Sequence, residues 1–340
     1  MVLRDERVTM AHGGGGTAMR DLIEEVFAQV FRPEGMEDQA RLADAAFAEP
    51  GARLAFTTDS FVVTPLEFSG GDIGKIAVCG TVNDLAVGGA RPLWLSAAFI
   101  IEEGTEIALL RRIAASMQAE AEKAGVRIVT GDTKVVERGK GDGVFVTTSG
   151  VGVIPTGRDI GAHRIRAGDV VIVNGPLGNH GAAILAARGD LSLSVTVPSD
   201  CAALNHLMEA ALAAAPGFSA ARDATRGGAA SALNELAGAA GVGIIIDEDA
   251  LPLHPEVRGL CEILGLDPLY LANEGTLVAF APAAEADAAL AAMRACPEGW
   301  GATIIGRVEP TNPGRVAMRT LLGGLRIVDM LVGEQLPRIC

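Results

Sequence analysis

The sequence predicts a two-domain protein of the α/β (α+β) class, and three observations carry that expectation. Short β-branched apolar runs alternate with amphipathic helical patterns along both halves of the chain, which places helices over sheets. A length of 340 residues suffices for two cores of ordinary domain size. A polar, glycine-punctuated stretch, PTGRDIGAHRIRAGD, interrupts the alternation near residues 155–168. The expected organisation is therefore an N-terminal domain over 1–155, a C-terminal α/β domain over 166–330 and a flexible tail over 331–340.

In chain order, Met19, Leu22, Ile23, Val26, Phe27 and Val30 recur at helical spacing after GGGG, with Thr17 as the expected N-cap. RLAFTTDSFVV reads as a strand. PLEFSGGDIGKIAVCGTVNDLAVGGA reads as a glycine loop opening into a helix, and RPLWLSAAFII as a second strand. Thr105 to Ala124 has the pattern of a long amphipathic helix, and VRIVTGDTKVV and DGVFVTTSGVGVI add strands. Beyond the boundary, VVIVNGPLGNHGAAILAARG is again strand, glycine turn and helix. Helices follow at about 200–215 and 226–240, then the strand GIIID and a helix near 255–264. The strand TLVAFA, a helix of EADAALAAMRA and the strand ATIIGRV complete the half. Gly333 and Pro337 mark the last ten residues as extended.

Composition excludes several classes of function. Hydrophobic residues make up 49% and charged ones 21%, the balance of a packed globular protein. The longest apolar stretch, around LWLSAAFII, is too short to span a bilayer, and MVLRDERVTMAHGGGGTAMR holds no signal-peptide run. The expectation is a cytoplasmic protein without a membrane partner. Twenty-eight basic against 42 acidic residues leave a net charge of −14, which argues against nucleic acid as a partner. A small phosphorylated ligand remains compatible if a cation or backbone amides neutralise it. Five cysteines, at 79, 201, 261, 296 and 340, form no CxxC pair and read as reduced thiols. Glycine is unusually frequent, 43 residues against roughly 7% in ordinary proteins, so many segments turn sharply or approach something closely.

Several stretches can carry chemistry. HGGGG at 12–16 precedes a helix, where backbone N–H groups can face an anion, or it is a linker; no GK[ST] follows, so it is not a Walker A loop. Asp44, Asp59, Asp72, Asp84, Asp132 and Asp223 each sit at a loop or element end. One such aspartate alone is turn chemistry, but six beside phosphate-type glycine loops point to Mg²⁺-bridged nucleotide binding. Lys134 is either a lysine guarding an edge strand or a cation for a developing negative charge. Glu274 in ANEGTLVAF is either a general base or a solvated loop acid. His12, His180 and His206 are isolated and read as core or surface histidines, His12 excepted because of its glycines. The chain closes on LPRIC, so Cys340 is expected on a tail able to carry a group on sulfur from one site to another. Its neighbouring carboxylate is expected to raise the thiol pKa, Arg338 to favour thiolate, and Pro337 to restrict the tail.

Together, MAHGGGGTAMRDLI, TTDSFVVTP, GGDIGKIAVCGTVNDLAVGGA, GDTKVV, DATRGGAASALNELA, NEG and PRIC resemble the HypE family of [NiFe]-hydrogenase maturation proteins, from about residue 8 onward. The resemblance implies an aminoimidazole-ribonucleotide synthetase-like fold with a homodimer formed through the N-terminal sheet. It implies that the carbamoyltransferase HypF places a carboxamide on Cys340. ATP-dependent dehydration then gives an S-cyanate, whose cyano group passes to iron on a HypC–HypD scaffold. By the same resemblance Asp44, Asp59, Asp84 and Asp223 hold Mg²⁺. His12, Gly13, Gly14, Gly15, Gly16, Asp72, Thr81, Asn83, Asp132 and Arg226 face ATP; Glu274 is the base and Lys134 steadies the oxygen or phosphoryl group. Selenophosphate synthetases would be expected to show a reactive Cys near the first glycine loop, and none precedes Cys79. Thiamine-phosphate kinases share the aspartates without needing the final cysteine. A non-catalytic thiol carrier would show no Cys340-dependent ATP hydrolysis.

Overall fold

The structure is a computed structural model and describes residues 5–34, 39–189, 197–331, 333, 336 and 338–340. The first helical stretch comprises α1 (Thr17–Leu22), a π segment (Ile23–Ala28) and α2 (Gln29–Phe31), which together bury Leu22, Val26 and Phe27. Its N-cap is Gly16 rather than Thr17. Gly15 turns the chain at φ +77°, so Thr17 is already helical and makes no capping bond. Then come β1 (Arg53–Phe61), β2 (Glu67–Phe68), β3 (Gly71–Asp72), α3 (Ile73–Val87), β4 (Arg91–Glu102), α4 (Ile107–Ala124), β5 (Arg127–Val136) and β6 (Val144–Ile154). The first sheet runs β1-β6-β4-β5, and its one parallel pair, β4 with β5, is the pair that α4 connects. α4 buries Ile107, Leu110, Ile113, Ala114, Met117 and Ala121 at helical spacing and stops at Gly125, whose φ is +71°.

The second domain contains β7 (Asp169–Val173), α5 (Asn179–Arg188), α6 (Asn205–Ala214), β8 (Ala220–Asp223), α7 (Gly228–Ala240), β9 (Gly243–Asp247) and α8 (Pro255–Leu264). It continues with β10 (Leu277–Pro282), α9 (Ala286–Arg294), β11 (Thr303–Glu309), β12 (Val316–Arg319) and β13 (Leu325–Val328). These seven strands form one mixed sheet, β13-β12-β9-β11-β7-β10-β8. The first sheet ends at Ile154 and the second begins at Asp169, on either side of the expected boundary. Sequence reading missed β8, β12 and β13. Each is four residues long, too short for an alternating pattern to stand out.

α3 joins the two domains. It packs on β1 and β6 and on α4 of its own domain, and on α6 and β8 of the other, so its apolar residues are buried all round. Glycine permits the close approach: a Cβ on Gly80 would lie 2.9 Å from the Phe61 ring, and one on Gly150 2.8 Å from Thr81 Cγ2. The last turn of α3 is thereby held at the domain junction.

Among the described residues no α-helix covers the opposite face of the first sheet, where the one-turn segment Ala45–Ala48 stacks its Phe47 on Trp94 with ring centroids 5.5 Å apart. Cross-strand partners share a face, so Ser60 with Thr147, Ala98 with Thr147 and Asp132, and Ile100 with Lys134 lie together on that outer side. Leu54, Phe56 and Ile100 are 64%, 67% and 43% exposed. No helix among the described residues is long and apolar enough to cross a membrane.

Candidate active site

Sheet register assembles the site at the junction. Asp223 ends β8 opposite Leu277 of β10, just beyond the turn that carries Glu274. From the other domain, Thr57 on β1 donates to Asp84 Oδ2 at 2.8 Å, and Asp59 lies two residues further along the same face of the strand. Arg226 Nη2 stands 4.0 Å from Asp59 Oδ1. Glu274 is 2% exposed, and among the described residues neither of its carboxylate oxygens has a hydrogen-bond partner. Its backbone is fixed by Asp200, which accepts from Glu274 N at 3.1 Å, Gly275 N at 3.0 Å and Thr276 Oγ1 at 2.9 Å.

The tail enters this junction. Ile339 bridges Val63 and is buried, and Arg338 O accepts from Thr64 N at 3.1 Å and Arg188 Nη2 at 2.9 Å. His180 Nε2 meets Ile339 O at 2.6 Å. Cys340 closes a cavity of about 430 Å³ that Ser60, Val62, Arg226, Tyr270 and Leu336 also line. The expected flexible tail is thus docked over its last three residues, while Pro337 lies outside the described residues.

Burial and mutual repulsion set the electrostatics. Burial, then Asp84, raises Asp223 to about 7. Asp84 is raised by burial, with the Thr57 hydrogen bond opposing and Asp59 adding. Glu274 is pushed well above the carboxylate range, first by burial and then by Asp200, Asp223 and Asp59. The Cys340 thiol is raised by burial and next by Glu274, while Arg226 pulls the other way. Arg338 does not have the role expected of it, because its guanidinium pairs with Asp142 at 3.1 Å.

Other expected site residues stand elsewhere. Asp72 caps α3, accepting from Gly74 N at 2.7 Å and Lys75 N at 3.0 Å; at 1.5 Å rise per residue it lies about 18 Å from Asp84. Thr81 is buried against Thr148, and Asn83 is buried and ties the domains through Ala202 O at 3.0 Å and Leu204 N at 2.7 Å, so the side-chain bonds of both are made within the protein. Asp44 caps its own turn and faces Arg91 at 3.6 Å, about 16 Å along the strands from Asp59. Asp132 and Lys134 lie on the edge strand β5, about 14 Å from β1 and on the outer face. Asp132 lines a second cavity of about 420 Å³ with Phe27, Phe31 and Arg127. His12 is buried with its Nδ1 3.0 Å from Thr9 N. Gly13 packs on Val135 of β5, and Gly14, Gly15 and Gly16 follow on the surface there. Sequence reading missed Asp200 and the part taken by His180. Their partners lie 74 and 159 positions away, and no local pattern signals such distances.

Among the described residues no three His, Cys, Asp or Glu side chains are gathered at metal-ligand spacing. Asp59, Asp84 and Asp223 nonetheless suit a hard cation, being neighbouring carboxylates: Asp59 raises the pKa of Asp84, and Asp84 and Asp59 raise that of Asp223. Asp223→Asn tests this cluster without divalent cation. The native carboxyl titrates above its ordinary 3.8, so the folded state holds a proton that the unfolded chain releases, and stability falls as pH rises from about 4 to 7. The cost above pH 7 is of order 4 kcal/mol at most. Asn should therefore raise the thermal midpoint at pH 8 and leave it nearly unchanged at pH 4; equal shifts at both would count against the cluster.

Residues 38–154 match the N-terminal domain, and residues 166–319 the C-terminal domain, of the family described as AIR synthase related protein. Carbamoyl dehydratase HypE of Rhodobacter capsulatus is 76% identical over 340 residues, covering 100% of both chains. The chain belongs to the HypE family. A crystal structure of the hydrogenase maturation protein HypE in complex with ATP superposes with a TM-score of 0.91 at 44% identity, covering 97% of this chain and 99% of the other. HypE from a HypE–HypF complex superposes with a TM-score of 0.80 at 45% identity, covering 91% and 99%. These HypE structures share the two-domain fold described above.

Proposed function

We propose that this chain is an ATP-dependent carbamoyl dehydratase of hydrogenase maturation, converting an S-carboxamide on Cys340 to an S-cyanate. The observation that carries the reading is the docked Cys340, lining the junction cavity with Ser60 and Arg226, beside a buried Glu274 carboxyl close enough to raise the thiol pKa. Dehydration of a primary amide removes one oxygen and two N–H protons. ATP supplies the phosphoryl group that turns the amide oxygen into a phosphate leaving group. Mg²⁺ would be held by Asp59, Asp84 and Asp223 and would neutralise the polyphosphate there. Glu274 takes the amide proton: its raised pKa makes it a stronger base than an exposed glutamate, and its free oxygens leave room for the N–H. Asp200 keeps the base aimed at the thiol. Arg226 faces both Asp59 and the sulfur, where positive charge steadies the departing oxyanion.

HypF is proposed as the carbamoyl donor and a HypC–HypD scaffold as acceptor. The five free cysteines suit a reducing cytoplasm. A homodimer would bury the exposed Leu54, Phe56 and Ile100 of the outer face. Asp132 and Lys134, also on that face, would reach a thiol site only across such an interface. Sedimentation should therefore show a dimer at micromolar concentration; a fully active monomer would remove both the interface and the role of Lys134. The reaction itself is tested by the mass of the Cys340 peptide after incubation with HypF and a carbamoyl donor, with and without ATP. Loss of water from the carbamoylated peptide only when a hydrolysable ATP is added is the expected result, and a carbamoyl mass unchanged by ATP would sink the reading.

A further inference from the structure

We propose that His180 is the positioning residue that latches the tail in its inner place, fixing where the Cys340 sulfur stands relative to Glu274. The proposal rests on Cys340 as the group carrier. His180 is wholly buried at the start of α5, with its Nε2 2.6 Å from Ile339 O and its Nδ1 2.9 Å from Ser199 Oγ. A carbonyl only accepts, so Nε2 carries the hydrogen; Nδ1 then accepts from the Ser199 hydroxyl, which itself accepts from Cys201 N at 3.1 Å. Burial lowers the His180 pKa, favouring this neutral tautomer. The edge of the ring rests on Phe68, which fixes its plane.

The loop that orients His180 also orients the base. Ser199 holds the imidazole, and the next residue, Asp200, accepts from the backbone of Glu274 and Gly275 and from the Thr276 hydroxyl. Two consecutive residues, Ser199 and Asp200, therefore fix both the carbonyl that precedes Cys340 and the turn that carries Glu274. Among the described residues the other polar grips on the tail are further out, Thr64 and Arg188 on Arg338 O and Asp142 on the Arg338 guanidinium. When the tail leaves, the Nε2–H loses its acceptor in a buried place, so the bond weights the equilibrium toward the docked state by about tenfold.

His180→Phe keeps an aromatic ring, somewhat larger, against Phe68 while removing both bonds. Iodoacetamide labelling of the protein alone, read from the Cys340 peptide, should proceed about tenfold faster than in the parent, with the buried Cys79 and Cys201 as unchanged controls. Carbamoylation by HypF, an outer step, should keep its rate, whereas dehydration of the isolated carbamoylated protein should slow about tenfold. His180→Gln, whose amide can donate to the Ile339 carbonyl, should restore both labelling and dehydration toward the parent. Parental labelling of Cys340 in the Phe variant would overturn the proposal, as would a joint fall of both half-reactions with Cys79 and Cys201 newly labelled. Faster labelling with no carbamoylation in parent or variant would leave the latch standing and remove the carrier reading instead.

Discussion

Cys340→Ala is expected to abolish cyanation completely while folding, dimerisation and nucleotide binding stay near those of the parent protein. The sulfur is the atom on which the carboxamide is built, so no neighbouring group can replace it. Little of the fold depends on it, because the tail is held by the backbone of Arg338 and Ile339 and by the buried Ile339 side chain. The inner site is also a poor place to load the thiol. Burial and Glu274 raise its pKa, so thiolate is scarce while the tail is docked. Loading belongs outside, where an unburied thiol ionises more readily, and dehydration inside, where water is scarce and the base is near. The Ala variant should show no mass gain on its last peptide and no Cys340-dependent ATP hydrolysis. If it still supplied cyanide ligands to a hydrogenase precursor, the function proposed here would be wrong.

What could be read in advance follows from how locally each feature is encoded. α3, α4 and the four long strands of the first sheet were legible, because each shows enough periodic positions to fix its type. So was the placing of Glu274 just before a strand, since NEG precedes the continuous apolar run of β10. Asp72 looked like a site residue because an aspartate between glycines and a helix reads equally as a phosphate-loop acid and as an N-cap; the hydrogen bonds to Gly74 N and Lys75 N decide for the cap. Thr81 and Asn83 share α3 with Asp84, yet both are buried, Thr81 against Thr148 and Asn83 against the backbone of the other domain, and only Asp84 of the three is half-buried. Asp132 and Lys134 were grouped with the aspartates of the inner face because sequence does not reveal that β5 is the far edge of the sheet. Asp200 and His180 act through partners that only the packing of two domains brings near.

Glu274→Gln should still accept a carbamoyl group on Cys340 and fail to dehydrate it. Glutamine has the shape of glutamate, so the turn pinned by Asp200 and the cavity wall survive, but an amide cannot take a proton from the substrate nitrogen. Loss of a positioned base predicts a fall of about 10²–10⁴-fold in the single-turnover dehydration rate of carbamoylated protein. The pH dependence makes the assignment specific. A base acts when deprotonated, and burial with Asp200 raises the pKa of Glu274, so the parent's rate should already fall on acidification above the ordinary carboxylate range. The Gln variant should lose that limb together with the rate. Stability separates loss of the base from damage to the fold. Because the native carboxyl is raised above its unfolded value, ionising it costs folding free energy as pH rises, and the neutral variant should melt higher than the parent at pH 8. A variant that melts lower at pH 8 would show that Gln had disturbed the site. A well-folded variant forming the cyanated mass at the parent's rate would remove Glu274 from the chemistry and leave the amide proton to another acceptor.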